Sequence, residues 1–404
     1  MSWPMVKLGS VCKLINGDRG QNYPSKDALF SEGIPFINAG NLQDDLTIKC
    51  SGANFISQDR FNLLSNGKVL FGDILFCLRG SLGKFAIVDN QISQGAIASS
   101  LVILRPDGKL DRDFLKNYLR STLCKREIER FENGAAQPNL SAKDLKEFEI
   151  PLPPLAEQKR IAAILDKADA IRRKRQQAIQ LADDFLRAVF LEMFGDPVTN
   201  PKGWEVKPLK DVLKSISSGW SANGDSRPCE EGELGVLKIS AVTSGTFIPT
   251  ENKAVQVSDI PSSKKLVFPK KGDMLFSRAN TRELVAASCI VIEDSPNTFL
   301  PDKLWLIKTD ESQLLPEFLN YLLKTPGFKE KLTSQATGSS GSMLNISMGK
   351  FEQTECLVPA IDLQHIFKNL YWKLQETMSC FEQSYSTLQA SFNSLSQKAF
   401  SGQL

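Results

Sequence analysis

The chain has 404 residues, enough for two or three domains that each bury a sizeable core. A net charge of +3 is too small to mark nucleic-acid binding by composition, so any basic surface has to be local. A single histidine, His365, removes most histidine-based acid–base, triad and metal chemistry, and eight cysteines without a CxxC pair read as reduced thiols rather than zinc ligands.

At the N-terminus, Met1 to Leu14 lacks the charged-then-apolar layout of a signal peptide, and no apolar run approaches membrane-spanning length. A cytoplasmic protein without a membrane partner is expected. Short apolar runs then alternate with Gly, Asn and Asp turns. Leu70 to Leu78 and Ala98 to Leu104 are expected as strands, and Asp113 to Phe131 as a helix. Three polar loops stand between such elements. The first carries Arg19, Gln21, Asn22 and Tyr23, the second Arg79, Ser81 and Lys84, and the third Asn133 and Gln137.

Residues 150–179 read IPLPPLAEQKRIAAILDKADAIRRKRQQAI. Prolines 151, 153 and 154 cannot continue a strand ladder yet suit a first helical turn, and Glu157 suits the positive end of the helix dipole. Ile161, Leu165, Ala168, Arg172, Arg175, Ile179, Ala182, Leu186, Val189 and Met193 follow at alternating spacings of four and three. That is a coiled-coil seam with two arginines in it. Gly195 and Pro197 then stop the helix.

The rest of the chain repeats its beginning. Trp3, Leu8, Val11, Lys13 and Ile15 recur as Trp204, Leu209, Val212, Lys214 and Ile216, and GDILF at 72–76 recurs as GDMLF at 272–276. Asn139-Leu140-Ser141 recurs as Asn345-Ile346-Ser347, and Gln158 as Gln364. The order is collinear, the mark of a tandem duplication. Loops in equivalent places carry Trp220 and Asn223, then Arg278, Asn280 and Arg282, then Ser339 and Ser340.

Adding 206 to each seam position gives Phe367, Tyr371, Leu374, Met378, Phe381, Tyr385, Leu388, Phe392, Leu395 and Ala399, all apolar. Their bulk falls largely where the first seam is small or basic. Two helices of about 38 residues, roughly 55 Å long, are therefore expected to pair. The two-fold symmetry of a duplication favours an antiparallel pair with the globular parts at its two ends. In that pairing Arg172 and Arg175 face the Met378 and Phe381 region. The expected class is α+β: a mixed α/β domain plus long helix, duplicated, with the two helices as an antiparallel coiled coil between the two globular domains. The boundaries are 1–152, 153–195, 196–358 and 359–404.

Three stretches carry a family resemblance: GDILFCLRGSLGK at 72–84, NGAAQPNLSAKDLKEFEIPLPPLAEQKRIAAIL at 133–165, and FLEMFGD at 190–196 leading into NPKGWEVKPLKDV. Across essentially its full length the chain resembles the specificity (S) subunit of type I restriction–modification systems. The resemblance implies two target-recognition domains, each reading one half of a bipartite site in double-stranded DNA. The helix pair would set the unread spacer and dock two methyltransferase (M) subunits, and motor-nuclease (R) subunits would join for ATP-dependent cleavage. It also implies that this chain holds no catalytic residue, metal or cofactor, while its partners use S-adenosylmethionine, ATP and Mg. The second copy departs from the pattern: LVPAIDLQHIF keeps Pro359 and Gln364 but loses the Glu and the basic residues, and SRANTREL stands where the first copy has CLRGSLGK.

The loop chemistry agrees with DNA reading. An arginine fork suits a guanine edge, Gln and Asn amides suit adenine, and glycines around Arg79 and Lys84 let backbone amides approach a phosphate. The bland alternatives are solvated turns and a coiled-coil scaffold whose ends bind proteins. The basic run 172–175 would face spacer phosphates, a partner subunit or solvent. Enzymatic readings are weaker: the glycines at 80 and 83 lack the rest of a P-loop, and the triplets Asp107-Gly-Lys109 and Glu251-Asn-Lys253 have no convincing upstream carboxylates.

Overall fold

The computed structural model describes residues 3–131, 139–338 and 343–404. The chain divides into two compact units, one made of Met1–Gln177 with Glu382–Leu404 and the other of Ala178–Phe381. Each long helix is thus shared out, its first and second halves belonging to different units.

In the first unit a four-stranded antiparallel sheet runs in the order Cys12–Asn16, Leu101–Pro106, Ile74–Cys77, Phe85–Ile87. Every residue of Ile74–Cys77 is buried, as an apolar run flanked on both faces requires. A smaller sheet orders Asn54–Ile56, Ile34–Ile37 and Ala96–Ile97, the last pair parallel. A third ribbon joins Met5–Lys7 to Glu149–Pro151. The second unit repeats these three sheets. Its four-stranded sheet orders Leu213–Ser218, Leu304–Thr309, Met274–Ser277 and Ser288–Ile290, and its three-stranded sheet orders Asn252–Val255, Leu234–Leu237 and Thr298–Phe299. Glu205–Pro208 pairs with Glu355–Val358. The duplication is therefore a duplication of topology.

Four expectations are corrected. The strand expected over 70–78 is confined to Ile74–Cys77, because Asp73 accepts from the Leu70 amide at 2.7 Å and Gly72 takes φ +83°, turning the chain first. The expected helix over 113–131 is two, Arg112–Leu119 and Thr122–Phe131, since the Ser121 hydroxyl donates to the Tyr118 carbonyl and accepts the Cys124 amide. Pro151 does stand in a ladder, at its end, where the missing N–H costs nothing. The strand expected from Ala98 begins at Leu101, after a turn closed by Leu101 N–H on the Ala98 carbonyl.

The same sequence position opens both long helices, Leu155–Phe194 and Ile361–Ser401. Gln158 donates to the carbonyls of Pro153 and Lys109 and accepts the Asp111 amide. Gln364 donates to the carbonyls of Pro359 and Gln313 and accepts the Leu315 amide. Every expected seam position on both helices is buried or half-buried. In the first unit Ile161 and Leu165, near the start of the central helix, share a core with Phe392, Ala399 and Phe400, at the end of the C-terminal helix. In the second unit Leu186, Phe190 and Phe194 share a core with Phe367 and Tyr371, end against start. Each unit thus contains an antiparallel helix pair.

One seam expectation changes. Arg172 does not face Met378 or Phe381: its guanidinium donates to Gln389 at 2.6 Å and lies over the Phe392 ring, 5.5 Å from the centroid. It also donates to Asp169, which holds Arg120 and Arg173 as well. Arg173 further reaches the Asp45 carbonyl. Two members of the basic run are therefore committed inside the first unit.

Candidate nucleic-acid interface

In each unit the polar loops gather at one end of the strands of the four-stranded sheet. In the first unit the chain leaves Cys12–Asn16 at Gly17, where a Cβ would lie 2.7 Å from the Ile97 carbonyl oxygen. The buried Asp18 then accepts from the amides of Gly20 and Ser65 and from the Ser65 hydroxyl. Those backbone donors hold its carboxyl below the usual carboxylate range. Arg19 donates to the Ser99 carbonyl at 3.3 Å and stays exposed, and Gln21 is exposed. Asn22 donates to the Leu63 carbonyl, and Tyr23 packs edge-on against Phe36 at 5.6 Å. These last two fix the loop rather than project from it.

The loop from Arg79 to Lys84 is a tight turn between strands, with Gly80 and Gly83 at φ +80° and +79° and the Lys84 amide closing on the Ser81 carbonyl. Leu78 bonds through its amide to Ser100 and through its carbonyl to Leu140, and Arg79 bridges Asn139. Loops 18–23, 79–84 and 98–100 and the chain at 139–140 are thus stitched together. Arg79 and Ser81 are exposed, and the Arg79 side chain bonds to none of the described residues. Lys84 is half-buried, 3.4 Å from Asp44.

The second unit builds the same frame with other side chains. A Cβ at Gly219 would lie 1.9 Å from the Leu300 carbonyl, which also accepts the Trp220 amide. Trp220 stacks on Phe299 with an interplanar angle of 10°, and Asn223 is exposed. Arg278 takes the place of Leu78: its amide donates to the Lys303 carbonyl and its carbonyl accepts from Ile346. Ala279–Asn280 pairs with Leu344–Asn345, Asn280 accepts the Thr281 amide, and Arg282 is exposed. Asn133, Gln137, Ser339 and Ser340 lie outside the described residues. Asp18, Ser99 and Asp302, which hold these loops together, carry no sequence signal beyond being polar residues near turns.

Burial pushes the thiols of Cys12, Cys124, Cys289 and Cys356 up to about 12, far from a reactive thiolate. His365 is exposed on the first turns of the C-terminal helix. No described helix is long and apolar enough to cross a membrane.

Two copies of one mixed α/β domain, each with its polar loops gathered at one end of its strands and each completed by an antiparallel helix pair, define a duplicated recognition protein. Residues 2–181 match the type I restriction modification DNA specificity domain. The chain is 24% identical over 424 residues to the type I restriction enzyme EcoKI specificity subunit of Escherichia coli strain K12, covering 100% of this chain and 89% of that one. It is 20% identical to the StySPI specificity subunit of Salmonella potsdam, again over 100% and 89%. The crystal structure of a type I restriction–modification S subunit from M. genitalium shares its fold, with a TM-score of 0.57 at 17% identity over 99% and 96% of the two chains. The chain therefore carries a type I restriction modification DNA specificity domain in its first part and is similar along its whole length to type I restriction enzyme specificity subunits.

Proposed function

We propose that each unit reads one half of a bipartite site in double-stranded DNA and that the subunit does no chemistry itself. The observation that carries this reading is the pairing of like loop frames with different side chains: the exposed Arg79 stands where the second copy has the buried Ala279, and the second copy exposes Asn223 and Arg282 instead. Two different half-sequences need that arrangement, since the frame positions the protein while side chains at base edges specify.

The two units then occupy successive major-groove segments and leave the bases between them unread. The long helices set that spacer and dock two methyltransferase subunits. Those partners flip a target adenine out of each half-site and methylate it from S-adenosylmethionine. Motor-nuclease subunits supply ATP- and Mg-dependent cleavage of unmodified DNA. A near-neutral chain suits this role because phosphate contacts come from a few exposed cations rather than from overall charge. Deleting the gene should erase one bipartite adenine-methylation motif from the host methylome. Persistence of every such motif would contradict the proposal.

A further inference from the structure

Arg278 stands among the second unit's polar loops, and its guanidinium is occupied. Nε donates to the Asp302 carbonyl at 2.8 Å, Nη2 lies 3.4 Å from the Asp302 carboxylate, and Nη1 donates to Asn345 at 2.8 Å. The Asp302 carboxylate also accepts the Ser221 hydroxyl, and its carbonyl accepts that of Ser218. Asp302 therefore joins the loop after Leu213–Ser218 to Arg278, and Arg278 joins both to the strand at Asn345. Among the described residues the corresponding place in the first unit has no ion pair: Leu78 is buried there, and Arg19 donates to the Ser99 carbonyl.

Resting on the bipartite reading above, we infer that Arg278 and Asp302 form an internal clamp that sets half-site discrimination by the second unit without contacting DNA. Arg278 is a positioning residue. The exposed Asn223 and Arg282 and the half-buried Asn280 stand on the segments that it holds together. Planar, multidentate arginine contacts suit such a junction, because one rigid group fixes several backbone segments at once.

The two roles open to Arg278 separate by salt dependence. A cation on a phosphate contributes about one to the slope of log affinity against log salt and weakens all sequences alike when removed. A clamp contributes nothing to that slope but blurs base choice. The test uses the full chain assembled with its methyltransferase subunits and duplex libraries randomised in one half-site at a time, at roughly 50 to 200 mM salt. Arg278→Leu installs the residue of the first copy. It should lower discrimination in one half-site by about fivefold or more, the least a single base contact supplies, with the other half-site and the salt slope unchanged. Asp302→Asn, which keeps shape and removes charge, should blur the same half-site and keeps the test decisive if the leucine variant fails to fold. A slope reduced by about one with uniform loss across sequences would make Arg278 a phosphate contact and overturn the clamp. So would full discrimination in both variants. A wild-type complex with no preference in either half would instead remove the bipartite reading itself.

Discussion

Arg120 grips Asp169 through two charge-assisted hydrogen bonds, Nη1 to Oδ2 at 2.6 Å and Nη2 to Oδ1 at 2.9 Å, tying the end of the domain helix Arg112–Leu119 to the central helix. Arg172 and Arg173 bond to the same carboxylate, and Arg172 carries the connection on to Gln389 of the C-terminal helix. Burial alone would raise the Asp169 pKa. The bonds from Arg120 and Arg172 outweigh it and bring the group to about 2.

A carboxyl whose folded pKa lies below its unfolded one stabilises the fold above the unfolded value and loses that contribution as pH falls through the folded one. Here the window runs from about pH 4 down to about pH 2, and the contribution is about 2 kcal/mol. Asp169→Asn should destabilise the first unit at neutral pH, and urea midpoints of the two proteins should converge as pH falls through that window. A gap that stays constant with pH would refute the assignment.

Gln158 and Gln364 satisfy the backbone that joins each domain to its helix, so each Gln→Leu change strands two carbonyls and one amide in a buried place. A cost of about 2 kcal/mol is expected for each. Hydrogen exchange should quicken at Asp111 in the first variant and at Leu315 in the second. Exchange that quickens equally in both units would show that the two junctions are not independent.

Much of this architecture is legible in the sequence because a 4,3 spacing over some ten positions, twice, leaves little choice of partner. The misplaced strand start and the split helix turn on single side chains, Asp73 and Ser121, that divert the backbone locally. Arg172 went astray for a different reason. The seam pattern shows which face is covered but not the axial offset of the two helices, and that offset is set by contacts such as Arg172 with Gln389. At the loops, sequence identifies polar side chains but not which are already engaged. Arg79 and Arg278 look alike in the sequence, and only the second is tied down.

Arg79 projects from the first unit's loop edge with no described partner, so its loss should be felt in DNA binding and not in folding. Arg79→Ala should cost about 1–3 kcal/mol on the cognate site if it reads a base, with relaxed choice at one position. An equal loss on random DNA would demote it to a phosphate contact, and no loss on either would remove it from the interface.

Inserting one heptad at facing points of both long helices preserves the seam and lengthens the pair by about 10 Å. The methylated motif should then gain roughly three unread base pairs, at 3.4 Å each. An unchanged spacer in an active variant would mean that the helices do not measure it.

The claim that each unit reads its own half-site is tested most directly by replacing residues 1–152 with those of a relative of different specificity and sequencing the host methylome. One half of the bipartite motif should change while the other half and the spacer stay as they were. A motif altered in both halves would contradict the account.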